Sequence, residues 1–230
     1  MLYDLHIHSC LSPCGDNDMT PNNIAGMAYL AGLGVIALTD HNTAKNVPAL
    51  AKCCRDRGIM FIPGIEVSSS EDFHIVCYFR TVEAAVGFGN MILDNMPDVA
   101  NRPDIFGEEI IMNADDDPIG NIDKYLLNAG GLSARQVVEE CHRYGGRAVY
   151  AHIDNTSFSV LSVLGTIPED IPIDGVELHD LSKRHDLIKA GLLDEDMPYM
   201  SDSDAHYLEN IGDRNCTLLP GHPLYDWIKE

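Results

Sequence analysis

The chain has 230 residues, enough for one domain with a sizeable core, and a single closed α/β barrel would account for all of it. Fifteen Lys and Arg stand against 36 Asp and Glu, a formal net charge of −21. Such an acidic surface repels phosphate backbones and anionic lipid, which argues against a general nucleic-acid or membrane-surface binder. No apolar run approaches the ~20 residues that span a bilayer, and MLYDLHIHS is not a basic start followed by a long apolar core, so a soluble, cytoplasmic protein is expected. The seven Cys lack the density of a secreted scaffold and are expected as reduced thiols, several of them packing groups.

In chain order, the apolar patterning predicts a strand over 2–7 and a helix over 21–33, opened by the cap Thr20 and by Pro21. A strand over 34–38 and a helix over 44–57 follow, the latter stopped by Gly58. Strands are predicted over 59–65 and 74–79, a helix over 133–144 capped by Ser133, and strands over 147–151, 175–178 and 198–200. Strand, helix, strand repetition with short connections implies parallel strands with helices outside, hence an α/β barrel of about seven strands. Residues 90–131 break the rhythm. Their acids, including Asp115 to Asp117, surround the apolar piece Ile110 to Met112, and the expectation is an acidic inserted hairpin and helix within one domain over 1–230, either a lid or a solvated excursion.

The strand ends carry the chemistry. Alternate residues of a strand share a face, so Asp4, His6 and His8 project together from the end of the first strand, and two imidazoles there suit a divalent transition metal. The other strands end in Asp40-His41, Glu66, His152, Glu177-Leu178-His179 and Asp202-Ser203-Asp204-Ala205-His206, while His74 stands at the beginning of its run. Carboxyl ends of parallel strands are where barrel enzymes place their sites. So many nitrogen and oxygen ligands exceed one ion's needs, which favours two or three metals and predicts phosphate-ester hydrolysis.

The motifs DLHIHS (4–9), LTDHN (38–42), GIEV (64–67), HIVCYF (74–79), AHID (151–154) and SDAH (203–206) resemble the PHP family, named for polymerase and histidinol phosphatase. The resemblance implies a distorted seven-stranded (β/α) barrel, a trinuclear site of manganese, zinc or iron, and phosphoesterase activity through a metal-bridging hydroxide. It further implies a first metal on His6, His8, Glu66 and Asp204, with Glu66 bridging to a second on His74 and His152. A third would take His41 and His206 and a residue of the loop after His8. Relatives offer Asp or His five or six positions after the second His. Here Pro13 and Cys14 stand there, so Cys14, Asp16 or neither completes that site; a Cys14 thiolate would favour zinc or iron, Asp16 manganese or magnesium.

Asp4, Asp40 and Asp202 are expected to orient imidazoles by accepting their second N–H. His206 and His179 are proton-transfer candidates, the latter with Asp180 by its strand-end position alone. Arg102, Arg135 and Arg184, with Lys183, are the candidates for pairing with phosphate oxygens. His142, His185 and His222 are expected outside the site, and the Cys10, Cys14 spacing does not match a dithiol centre. The substrate expected is a small phosphomonoester, a nucleotide or nucleoside bisphosphate among them, with no long nucleic acid and no membrane partner. The alternatives are a nuclease acting on short oligonucleotides and a non-catalytic metal-binding barrel.

Overall fold

The computed structural model describes residues 1–214, 216–218, 226 and 227; His222 lies outside the described residues. Strand β1 (Leu2–Asp4) leads to helix α1 (Pro21–Leu30), where the Thr20 hydroxyl accepts from Asn23 N–H. Strand β2 (Val35–Leu38), helix α2 (Val47–Arg57), strands β3 (Met60–Ser68) and β4 (His74–Tyr78) and helix α3 (Val82–Asn95) follow. Next come the short helix α4 (Pro103–Phe106), the hairpin strands β5 (Ile110–Met112) and β6 (Pro118–Asn121), and helix α5 (Ala134–Arg143), opened by a Ser133/Gln136 capping box. Strand β7 (Arg147–Tyr150), helix α6 (Val160–Leu164), strand β8 (Gly175–Glu177), helix α7 (Arg184–Lys189) and strands β9 (Tyr199–Met200) and β10 (Cys216–Thr217) complete the described chain.

Among the described residues, eight strands form one curled sheet in the order β10-β1-β2-β3-β4-β7-β8-β9. Two expectations are corrected. The eighth strand, β10, lies antiparallel to β1 with Leu2 opposite Thr217, and its two residues are too few to show a period. The sheet is also not uniformly parallel: β4 runs antiparallel to both β3 and β7. Only residues 69–73 separate β3 from β4, far short of the dozen or more that a parallel crossover needs. At the carboxyl end the curl closes, since Ile7 and Ala205 form a parallel bridge and Leu5 N–H donates to Asp202 Oδ1 at 2.6 Å.

Residues two apart divide the apolar side chains into two cores. Tyr3 and Leu5, Val35 and Ala37, Val76 and Tyr78, and Val149 and Ala151 pack together with Met200, Leu218 and Trp227. The intervening Ile36, Leu38, Ile75, Cys77, Ala148 and Tyr150 pack with the helices, against Ile24, Leu50, Phe88 and Val137 among others. All seven Cys are free, and Cys53, Cys54, Cys77 and Cys141 are buried, as packing thiols. Among the described residues no helix is long and apolar enough to cross a membrane.

The expected hairpin within 90–131 is present as β5 and β6, but α3 continues through Asn90 to Asn95, and the helix inside the segment is the single turn α4. The segment is fastened to the loops that follow β1 and β2. Asn46 donates to Ile110 O and accepts from Met112 N–H, Asn42 donates to Leu126 O, and Leu11 packs with Met96, Ile122 and Leu126.

Candidate metal centre

Glu66, near the end of β3, is the hub of the barrel mouth. Its carboxylate meets five imidazoles: His74 Nδ1 at 2.9 Å, His41 Nδ1 at 3.1 Å, His152 Nε2 at 3.3 Å, and His6 Nε2 and His8 Nε2 at 3.4 Å. Asp204 Oδ1 lies 3.2 Å from His8 Nε2 and 3.5 Å from His6 Nε2. The reversed direction of β4 explains why His74 joins this group from the start of its run: the antiparallel register sets His74 opposite Ser68, at the carboxyl end of β3.

The nitrogens are arranged for a cation. Those of His6 (Nε2), His41 (Nδ1) and His74 (Nδ1) are buried, face Glu66, and make no hydrogen bond. Buried polar atoms are ordinarily satisfied, so orphaned ring nitrogens around one carboxylate fit divalent ions that would take their lone pairs. Three sets bring their ligand atoms within 4.8 Å of one another: His6, His8 and Glu66; His41, Glu66 and His74; and His8, Cys14, His41 and His206. Burial alone would raise the Glu66 carboxyl, but the neighbouring His74, His41 and His6 rings hold it well below the usual carboxylate range. Burial also opposes charge on His6, yet Glu177, Asp204 and Glu66 raise it well above its ordinary value, whereas burial lowers His41 far below. Burial and the nearby His8 push His206 down to about 4, so it is neutral at pH 7.

The imidazoles are oriented by groups other than the three expected carboxylates. His6 Nδ1 meets Glu177 Oε2 at 2.8 Å with both side chains buried, and His8 Nδ1 meets Ser12 Oγ at 3.2 Å. Asp40 acts one step removed: it accepts from Ser9 N–H, Ser9 Oγ and Ser12 Oγ, and so fixes the hydroxyl that touches His8. Asp4 binds Ser203 and Gly212 N–H, and Asp202 binds Leu5 N–H, so both brace the backbone that closes the barrel. Glu177 was missed as an orienting group, although an acid closing the apolar run Gly175 to Leu178 was a visible signal.

A cavity of about 320 Å³ opens at the cluster, lined by Cys14, His41, Glu66, His74, His152, Asp204 and His206 together with Tyr125, Leu127, Asn155, Ser157 and Phe158. Four residues of this mouth hold positive φ without being glycine: Asn42 (55°), His152 (28°), Phe158 (53°) and Asp204 (53°). Such conformations persist where the surroundings over-determine them, and they concentrate at functional sites.

The family model for the PHP domain matches residues 4–155, well over half of the chain. This chain belongs to the PHP domain family. It is 35% identical over 77 residues to a 5′-3′ exoribonuclease of Haemophilus influenzae, covering 32% of this chain and 27% of that one. It is 37% identical over 73 residues to a 3′,5′-nucleoside bisphosphate phosphatase of Chromobacterium violaceum, covering 32% of this chain and 25% of the relative. The matched stretch thus spans about a quarter of these relatives' length. Among solved structures, a lesion-specific endonuclease of Pyrococcus furiosus shares the fold with a TM-score of 0.62 at 23% identity, over 92% of this chain and 50% of that one. Relatives named as nucleases leave the expectation of no long nucleic acid without support.

In the loop after His8, the PHP fold here brings Cys14 to His8, His41 and His206, whereas Asp16 turns away to accept from Asp18 N–H. The loop is held by Asp16 N–H donating to His206 O at 2.9 Å and by Gly15, where a Cβ would sit 2.4 Å from Ser9 O. Burial, then Glu66, Asp204 and Asp40, raise the Cys14 thiol well above its ordinary value.

None of the three arginines expected to meet phosphate lines the cavity. Arg102 pairs with Asp104, Arg135 with Asp170, and Arg184 with Glu195 O and the Tyr199 ring, all away from the cavity. Their flanking patterns carried no information about facing, which is why sequence spacing misplaced them. His179 also stands outside the cavity lining, its ring bonded by Arg214 Nη2, and His142 pairs with Asp174. Arg214 lies beyond the patterned elements and gave no sequence signal.

Proposed function

We propose that the chain is a metal-dependent hydrolase of phosphate esters that acts on a phosphomonoester of mononucleotide size. The observation that carries this reading is the Glu66 carboxylate ringed by five imidazoles, three of whose nitrogens are buried and without a hydrogen bond. The cavity of about 320 Å³ supports the size, since it is at the small end of the range for ligand pockets.

In this reading His6, His8, Glu66 and Asp204 would hold one ion, Glu66, His74 and His152 a second, and His41, His206 and Cys14 a third. Manganese, zinc or iron suits the imidazole-rich sets, and the thiolate weights the last toward zinc or iron. Bound there, divalent ions would lower the pKa of water toward neutrality and neutralise phosphate oxygens. The protein's own groups prepare that chemistry. Glu177 and Ser12 fix the rings of His6 and His8 from behind. His206 Nδ1–H donates to Asp204 O at 2.7 Å, which leaves Nε2 with its lone pair, and as a neutral ring His206 binds rather than supplies a proton. Glu66 and Asp204, ionised, set the negative charge that retains the cations.

A nuclease reading is favoured by one observation, the 35% identity to the exoribonuclease. The deciding experiment measures bound metal by elemental analysis and turnover on a panel of nucleotide monoesters, bisphosphates, short oligonucleotide diesters and glycerol phosphate. We expect at least two metals per chain and preference for monoesters, with Glu66→Gln losing both metal and turnover. Preferred diester cleavage selects the nuclease reading, and full metal content with full turnover in Glu66→Gln refutes the assignment of the site.

A further inference from the structure

The loop 152–159 carries a bulky aromatic that is half exposed beside the cavity. Phe158 is 47% exposed and holds φ at 53°, a region disfavoured for a large side chain. The backbone around it is over-determined: His74 N–H donates to Phe158 O at 3.0 Å, and Ser159 both donates through Oγ to Asn155 O at 2.7 Å and caps α6. The result is a Phe158 ring lying nearly parallel to His74, with 7° between planes and 5.2 Å between centroids, at the edge of the cavity. Tyr125, itself backed by Phe106 at 4.4 Å, and Leu127 add further lining from the segment 90–131.

The lining therefore combines an ionic floor of His, Glu66 and Asp204 side chains with the aromatic rings of Phe158 and Tyr125. Against those rings the hydroxyls of a sugar or glycerol phosphate would meet few side-chain polar groups, those of Asn155, Ser157 and the Tyr125 phenol. A flat π-face, by contrast, gains from stacking on an exposed aromatic ring. We propose that Phe158 is the platform for a nucleobase, so that the ester taken by this site is a nucleotide whose phosphate lies at the ionic floor. This names the substrate class of the site and rests on the phosphoesterase reading above.

The test has a binding arm and a turnover arm. Fluorescence titration with ethenoadenosine monophosphate reads stacking directly. We expect Phe158→Leu to weaken binding roughly tenfold and Phe158→Tyr to restore it, with metal content unchanged in both. In turnover, Phe158→Leu should raise KM for adenosine monophosphate by about the same factor and cost glycerol phosphate several-fold less. Equal losses on both esters, or nucleotide binding unchanged by Phe158→Leu, overturns the platform. If the wild type hydrolyses no ester, the phosphoesterase reading fails, and the binding titration by itself decides the platform.

Discussion

Removing the carboxylate of Glu177 is the sharpest probe of how the centre is held. Its Oε2 lies 2.8 Å from His6 Nδ1 and 3.4 Å from His152 N–H, within a buried pocket. Glu177→Ala leaves the Nδ1–H of His6 buried without an acceptor, a loss of about 1–3 kcal/mol, which corresponds to roughly 5- to 150-fold in an equilibrium constant. Carboxylates that orient metal-binding histidines typically cost 10–100-fold in metal affinity when removed, so two independent scales agree. Glu177→Gln keeps an acceptor for Nδ1–H and loses only the charge, and a decrease of roughly tenfold or less is expected. Competition with a chromophoric chelator measures affinity, and a circular dichroism melt separates a loosened site from a loosened fold. Wild-type metal affinity in Glu177→Ala would refute the reasoning.

Cys14 gives a spectroscopic prediction. Cobalt substitution should produce a thiolate-to-metal charge-transfer band in the near ultraviolet that Cys14→Ser abolishes, whereas Asp16→Asn should retain it; a band that survives Cys14→Ser removes Cys14 from the ligand set. Glu109 predicts a pH dependence of stability. Buried, with Asp123 nearby and only partial relief from Leu126 N–H, its carboxyl is pushed up from 4.5 to about 7. The folded form therefore holds the proton more tightly than the unfolded one. Its contribution is fully present below pH 4.5 and is lost as pH rises to about 7, at most about 3 kcal/mol. Melting across pH 4 to 8 should show Glu109→Gln with a shallower decline than wild type over that window; parallel curves would mean that Glu109 is ionised when folded.

The sequence by itself determined the chemical inventory, most of the strands and three of the helices, whereas α3, α6 and α7 went unpredicted. Seven of the eight sheet strands were legible, because each is an apolar run bounded by turn residues or a helix pattern, and His6, His8, His41, Glu66, His152 and His206 stood at strand ends where one face of a sheet collects them. His74 was recognised only by resemblance, since its position at the start of a run makes sense only once β4 is known to run backwards. Tertiary structure alone set Cys14 rather than Asp16 beside His8, His41 and His206, which depends on how Gly15 and the Asp40, Ser9 and Ser12 bonds fold one loop. It also replaced Asp4 and Asp202 by Glu177 as the partner of an imidazole, and it moved Arg102, Arg135 and Arg184 away from the cavity. The physical reason is common to these cases. A strand's period of two fixes which face a residue shares, but the aim of a loop side chain, or of a charge on a surface helix, is set by contacts with residues distant in sequence.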